Sequence, residues 1–278
     1  MSSRNVKETP RSPLLRPDDP APVSVLNAAG GSTVVVTCDH GGDAIPAKLD
    51  GLGLDPLDRE RHIAWDIGAS ATARQLAKLL DAPAVLGNYS RLLIDLNRPL
   101  DDLTSIREIS DGVLVPGNRN LSVEDVARRT EAIFEPYHEA VSTAMNRAAE
   151  RVAAPVLISV HSFTPVMQGF ERPWYVGVLF GSDTRIAEPL IAALSADPEI
   201  CVGANKPYSG YDLYGYTIET HAMPRGYPNI LIEIRQDLID TQNGAEAWAA
   251  TIAAALAPIL DDPDLYRPLR TEGGEYRS

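Results

Sequence analysis

The reading of this chain turns on Ile230-Leu231-Ile232-Glu233-Ile234-Arg235. Leu-Ile-x-Ile has the signature of a strand buried in a sheet with both faces covered. A carboxylate and a guanidinium in such a run are costly unless they are paired, bound to a metal or facing a cavity. Glu233 and Arg235 are two positions apart, so on a strand they point to the same side. A second apolar run, Val156-Leu157-Ile158-Ser159-Val160, ends in His161. A third, Val34-Val35-Val36-Thr37-Cys38, ends in Asp39-His40. Three buried strands that end in ionisable residues point to an active site along one sheet edge.

Outward from these runs, short strands alternate with helical patterns. Strands are expected over 33–38, 83–87, 91–95, 155–160, 174–180 and 229–234, and helices over 67–81, 122–152, 184–196 and 241–260. Trp248, Ile252, Ala255, Leu256 and Ile259 recur at helical spacing, as do Val126, Ile133, Tyr137, Val141 and Met145 behind the N-cap Ser122. Pro136 should kink or split that second helix. The alternation predicts an α/β fold, a three-layer α/β/α sandwich around a mixed, mostly parallel sheet. No long linker interrupts it, so residues 31–262 are expected to form a single catalytic domain. Residues 1–30, rich in Pro, Ser, Asp and Arg, read as a flexible lead-in, and residues 263–278 as a tail.

Composition narrows the classes. A chain of 278 residues, 44% hydrophobic and 23% charged, can bury an ample core. No run reaches the roughly 18 apolar residues of a membrane span, and the first residues lack the apolar core of a secretory signal. The two cysteines, Cys38 and Cys201, make no disulfide framework, which predicts a reducing cytoplasm. A net charge of −13 and the lack of a dense Lys/Arg cluster speak against nucleic acid as a partner. A small anion is still compatible, because a few arginines can dominate a cleft; those at 91, 98, 107 and 235 matter more than the total.

The candidate chemistry clusters in a few segments. His40 opens His40-Gly41-Gly42-Asp43, where His-x-x-acid spacing can place two metal ligands on one turn; Asp43 could equally cap the next segment. His161 holds the same topological place on another strand. Two imidazoles and one carboxylate make an open zinc site that leaves a position for water, with the water's pKa lowered to about 7 and a carbonyl polarised. Glu233 is then the natural general base. Asp66, in His62-Ile63-Ala64-Trp65-Asp66, competes with Asp43 as the acid ligand and could instead be an N-cap; His62 reads as a surface residue. Arg91 and Arg98 could grip a substrate carboxylate, with Asn97 beside Arg98, although Arg91 could also pair with Asp95. His138 reads as half-buried packing. Tyr216 lies in a Gly/Tyr-rich stretch over 208–227 that could cover a cleft, and either packing or a catalytic hydrogen bond would account for it. Ser162 offers a nucleophile next to His161, but no Gly-x-Ser-x-Gly elbow accompanies it.

Together these segments resemble the N-formylglutamate amidohydrolase family over about 200 residues. The matching pieces run from Cys38-Asp39-His40 through His62-Ile-Ala-Trp-Asp66-Ile-Gly-Ala, Ser90-Arg91 to Asn97-Arg98-Pro99, Ser110-Asp111-Gly112 and Pro116-Gly117-Asn118. They continue through Pro136-Tyr137-His138, His161-Ser162-Phe163-Thr164-Pro165, Arg172-Pro173-Trp174 and Gly215-Tyr216-Thr217 to Ile232-Glu233-Ile234-Arg235-Gln236-Asp237-Leu238-Ile239. The resemblance implies the fold of the zinc carboxypeptidases, one zinc ion, and hydrolysis of an N-formyl or similar N-acyl amide of an acidic amino acid such as N-formyl-L-glutamate. It makes His40 and His161 the zinc histidines and Glu233 the base. Asn97-Arg98 would bind the substrate carboxylate, with Arg91, Arg235 and Tyr216 as further substrate contacts. Asp66 is the expected acid ligand; Asp43, where carboxypeptidases carry a longer Glu, is the alternative. The rival readings are a broader N-acyl-amino-acid hydrolase, a carboxypeptidase-like enzyme, and a catalytically silent relative that binds a small acidic metabolite.

Overall fold

Strands that are apolar on both faces can be hidden only in a sheet with a layer on each side, and this chain builds one. The structure, a computed structural model, describes residues 13–211 and 215–269. Parts of the expected lead-in (1–12), of the Gly/Tyr-rich stretch (212–214) and of the tail (270–278) lie outside the described residues. Strands β1 (Val23–Leu26), β2 (Val34–Cys38), β3 (Ala84–Gly87), β4 (Val156–Phe163), β5 (Val176–Leu179), β6 (Val202–Ala204) and β7 (Asn229–Arg235) form one sheet in the order β1-β3-β2-β4-β7-β5-β6. Pairs β2–β3, β2–β4, β4–β7 and β5–β6 are parallel; β1–β3 and β7–β5 are antiparallel. The fold is α/β with a mixed, mostly parallel sheet.

Alternation along the strands divides the core. Val34, Val36, Val156, Ile158, Ile230, Ile232 and Ile234 share one core with buried residues of helices α1 (Ala69–Leu79), α4 (Ala187–Ser195) and α6 (Gln242–Leu260). Val35, Val85, Leu157 and Leu231 share the other with α3 (Glu135–Ala149) and α5 (Tyr216–His221). Strand β2 is flanked by β3 on one side and β4 on the other, so the order reverses there. Ligands of open α/β sheets bind beyond the carboxyl ends of the strands at such a point; His40 follows β2, and His161 lies near the carboxyl end of β4.

The expected elements differ from the observed ones in several places, and β6 and α5 were not expected at all. The run 91–95 is not a strand. Leu92, Leu93 and Ile94 are buried, but Ser90 turns the chain, its carbonyl and its hydroxyl oxygen accepting the N–H groups of Leu93 and Leu92. The helix around Pro136 does not break. After α2 (Val123–Arg129), a π-helical turn over Thr130–Phe134 leads into α3. The wider turn takes up the missing N–H and the ring of Pro136, and the backbone stays helical at both of its ends. Within the expected lead-in, Val23–Leu26 forms the edge strand β1, paired with β3. Within the expected tail, Pro263–Tyr266 forms a 3₁₀ turn that buries Leu265.

Candidate metal centre and cleft

Period-two alternation puts Leu157, Ser159 and His161 of β4 on the same side of the sheet, and β7 pairs in register so that Glu233 lies directly beside His161. Glu233 therefore shares the face of Leu231 rather than that of Ile232 and Ile234. From the end of β2, Asp39 and His40 enter the same region. Asp66 arrives on the loop before α1, its N–H donating to the carbonyl of His40 at 2.9 Å. That loop needs a glycine: Gly68 has φ +78°, and a Cβ there would lie 2.1 Å from the carbonyl oxygen of Ile239. Gly68, not Asp66, occupies the N-cap of α1.

One ring nitrogen of each histidine is held by a carboxylate while the other faces Asp66. His40 Nε2 lies 2.7 Å from Asp95 Oδ1 and its Nδ1 3.4 Å from Asp66 Oδ2. His161 Nε2 lies 2.8 Å from Asp39 Oδ2 and its Nδ1 2.9 Å from Asp66 Oδ2. One donor atom each from His40, Asp66 and His161 fall within 4.8 Å of one another, and all three residues are buried. Asp39 is itself fixed by the hydroxyls of Tyr137 and Thr217, each donating at 2.6 Å. Arg91 braces the opposite side, 2.8 Å from Asp95 and 3.4 Å from Asp66. Carboxylates that orient metal-binding imidazoles in this way are a recurrent support of metal sites.

The electrostatics follow from burial. Burial alone would raise Asp39, Asp66 and Asp95, but the histidines, and for Asp95 first of all Arg91, hold all three well below the usual carboxylate range. Burial also opposes the charge of His161, yet hydrogen bonds to Asp39 and Asp66 push it up to about 10. Glu233, 6% exposed, has no such partner. Burial raises it to about 7 with only partial relief from His161, and its Oε2 makes no hydrogen bond.

Above this cluster opens a cleft of about 580 Å³. His40, Asp66, His161, Glu233, Arg91, Asn97 and Arg98 all line it, so most of the expected site residues meet in one place. Three do not. Asp43 is exposed and lies in a separate surface hollow, so it cannot stand in for Asp66. Arg235 is not among the lining residues; it pairs with Asp237 at 2.8 Å and lies over the Tyr175 ring at 4.6 Å. Tyr216, at the start of α5, packs against Phe134 and His138 with ring centroids 5.3 and 4.9 Å apart. Among the described tyrosines of the 208–227 stretch, Tyr208 lines the cleft, and its hydroxyl accepts from Arg172 at 3.3 Å. His62, expected at the surface, lines the cleft 3.5 Å from Asp111. The hydroxyl of Ser162 donates to the carbonyl of Ile67 rather than to a histidine, so no nucleophile–base pair forms there.

Tyr208 also belongs to this region and escapes a reading of the sequence, as do the pairings of Asp39 with His161 and of Asp95 with His40; Arg107 was among the arginines expected to matter. The available signal was the Asp39-His40 pair at a strand end, since a carboxylate there must find a cation.

Among curated proteins, no sequence matches the chain. Among solved structures, the gene product Atu2144 from Agrobacterium tumefaciens is similar at 32% identity, covering 89% of this chain and 98% of its own, with a TM-score of 0.84. The N-formylglutamate amidohydrolase from Ralstonia eutropha JMP134 is similar in fold at 20% identity, covering 87% of this chain and 97% of its own, with a TM-score of 0.68. A family model described as N-formylglutamate amidohydrolase matches residues 32–240. The chain belongs to the N-formylglutamate amidohydrolase family.

Proposed function

We propose that the protein is a zinc-dependent amidohydrolase that cleaves the N-acyl amide of an acidic amino acid, with N-formyl-L-glutamate, split to formate and L-glutamate, as the leading substrate. The convergence of His40 Nδ1, His161 Nδ1 and Asp66 beside an unpartnered Glu233 carries this reading. The residues fit a zinc ion. His40 Nδ1 is a buried ring nitrogen without a hydrogen-bond partner, and two imidazoles with one carboxylate are the donor set of an open zinc site. When bound, the ion would supply Lewis-acid polarisation of the amide carbonyl and lower the pKa of water.

The remaining steps fall to the chain. Asp95 and Asp39 hold the two imidazoles by Nε2, which leaves both Nδ1 atoms for the ion. Glu233 takes a proton from the attacking water and delivers it to the leaving nitrogen, a role suited to a carboxyl raised to about 7. Asn97 and Arg98, in the cleft wall, hold the substrate's α-carboxylate. The cleft's size, about 580 Å³, favours a second reading in which longer acyl groups are also accepted. The free thiols of Cys38 and Cys201 support a cytoplasmic setting.

The test is turnover of formyl, acetyl and longer acyl amino acids by the zinc-loaded protein. Hydrolysis led by N-formyl-L-glutamate supports the first reading, and equal kcat/KM across acyl groups supports the second. A preference for apolar amino acids, or full activity after a chelator has removed all metal, overturns both.

A further inference from the structure

Three arginines crowd one wall of the cleft, and among the described residues only Arg91 is paired with carboxylates. Arg91 is taken up by Asp95 and Asp66. Among the described residues Arg98 makes one hydrogen bond, to the carbonyl of Asn97 at 3.0 Å, and its Nε has no partner. Arg107 likewise keeps a buried Nε without a partner, and neither Arg98 nor Arg107 pairs with a carboxylate among the described residues. Burial, and after it the neighbouring Arg91, disfavour the charge of Arg107, so it stands where an anion would relieve it. The acids whose charge reaches Arg107 are engaged elsewhere: Asp95 by Arg91 and His40, and Asp102 by the N–H and hydroxyl of Thr104; Asp111, in the cleft lining, is engaged by Arg61 at 3.0 Å and His62 at 3.5 Å.

The backbone that carries Arg107 is also tied down. The Asp95 N–H donates to the carbonyl of Ser105 at 2.7 Å, and Asn118 Nδ2 donates to the carbonyls of Arg107 at 2.7 Å and Leu92 at 2.8 Å. Asn118 is fixed in turn by Arg129, 2% exposed, which donates to its Oδ1 at 2.7 Å and to the carbonyls of Leu93 and Gly117. The loop that carries Arg107 is thus tied to the loop that carries Arg91, Asp95 and Arg98. These bonds fix the backbone from which the Arg107 side chain enters the cleft, so binding an anion there costs the ordering of that side chain and not of its loop.

We propose that Arg107 is the specificity-determining residue that reads a second carboxylate, so that the site selects N-acyl dicarboxylic amino acids over their neutral amides. The inference rests on the proposed amidohydrolase reading. In it, Arg98 serves the α-carboxylate common to all such substrates, and Arg107 serves the side-chain carboxylate that only acidic ones carry. A site with a buried donor awaiting a charged partner discriminates strongly against an isostere that cannot satisfy it.

N-formyl-L-glutamate and N-formyl-L-glutamine differ at that group alone, and both are to be offered to zinc-loaded wild type, Arg107→Gln, Arg107→Lys and Arg98→Gln. Turnover is read as kcat and KM, and binding by calorimetry on the Glu233→Gln background. For Arg107→Gln we expect the Glu:Gln ratio of kcat/KM to fall at least tenfold through KM, with the glutamine substrate losing less than threefold. Arg107→Lys should restore part of the ratio, and Arg98→Gln should weaken both substrates together. An unchanged ratio in Arg107→Gln, or an equal loss for both substrates, overturns the assignment. If wild type hydrolyses neither but calorimetry shows the Arg107-dependent preference, the reaction is wrong and the second-carboxylate site stands. If neither turnover nor binding distinguishes the two ligands, the site falls as well.

Discussion

Glu233 is expensive to bury as a carboxylate, and its neighbours relieve that cost only in part. Held near 7, it is ready to exchange a proton at neutral pH. Glu233→Gln keeps its shape and removes its basicity, so kcat is expected to fall by about 10²–10⁴ while bound zinc, measured by elemental analysis, is unchanged. Asp39→Asn and Asp95→Asn should each weaken zinc about 10–100-fold in chelator competition, because they loosen the imidazoles without removing a donor. In the metal-free protein His161 is raised to about 10, so zinc must displace its proton. Affinity is therefore expected to rise with pH, about tenfold per unit between pH 6 and 8, with proton release seen by calorimetry in two buffers. His40, Asp66, His161 and Glu233 were legible in the sequence because a polar residue in or after an apolar run is costly without a purpose. Asp39 and Asp95 were not, since which cation a carboxylate will meet depends on strands 50 or more positions away. Arg235 stays out of the cleft lining because Asp237, two residues on, pairs with it just past the strand, a contact the strand pattern does not announce.

Strand register and loop packing decide where the elements deliver these groups. Gly177 of β5 lies opposite Glu233, and a Cβ there would come within 2.0 Å of the carbonyl oxygen of Lys206. Gly177→Ala should push away the loop that carries Tyr208, costing about 1–3 kcal/mol of stability in urea unfolding. It should also lower kcat/KM about tenfold with zinc retained; unchanged activity would show that the loop's position is irrelevant to the reaction. The buried strands β2, β4 and β7 could be read directly because continuous apolar runs leave few alternatives. The run 91–95 could not be told from them, since a buried loop that ties its own backbone through Ser90 carries the same apolar pattern. The π-turn before Pro136 was equally hidden: the sequence shows that the proline must be accommodated, not how.

At the scale of the whole molecule, the three-layer fold was legible in the alternation of strands and helices. The strand order, which makes the switch point between β3 and β4, was not, because lateral pairing leaves no local trace. Its stability should carry the mark of the His138–His221 pair, 3.0 Å apart under α5. Burial holds both at about 4, below the ordinary 6.5. The unfolded chain therefore takes up protons first as pH falls, and stability drops between about pH 6.5 and 4 before levelling. In metal-free protein this loss is expected to be a few kcal/mol by urea unfolding, and smaller in His221→Gln. On the proposed reading zinc binds the folded state alone, so its removal should lower Tm, more so at low chelator-buffered metal. The most direct measurement is anomalous scattering at the zinc edge on crystals of the zinc-loaded protein. We expect one peak, bonded to His40 Nδ1, His161 Nδ1 and the Asp66 carboxylate, with Glu233 close by but uncoordinated. No peak there, or a peak held by Glu233 in place of Asp66, would contradict the site described above.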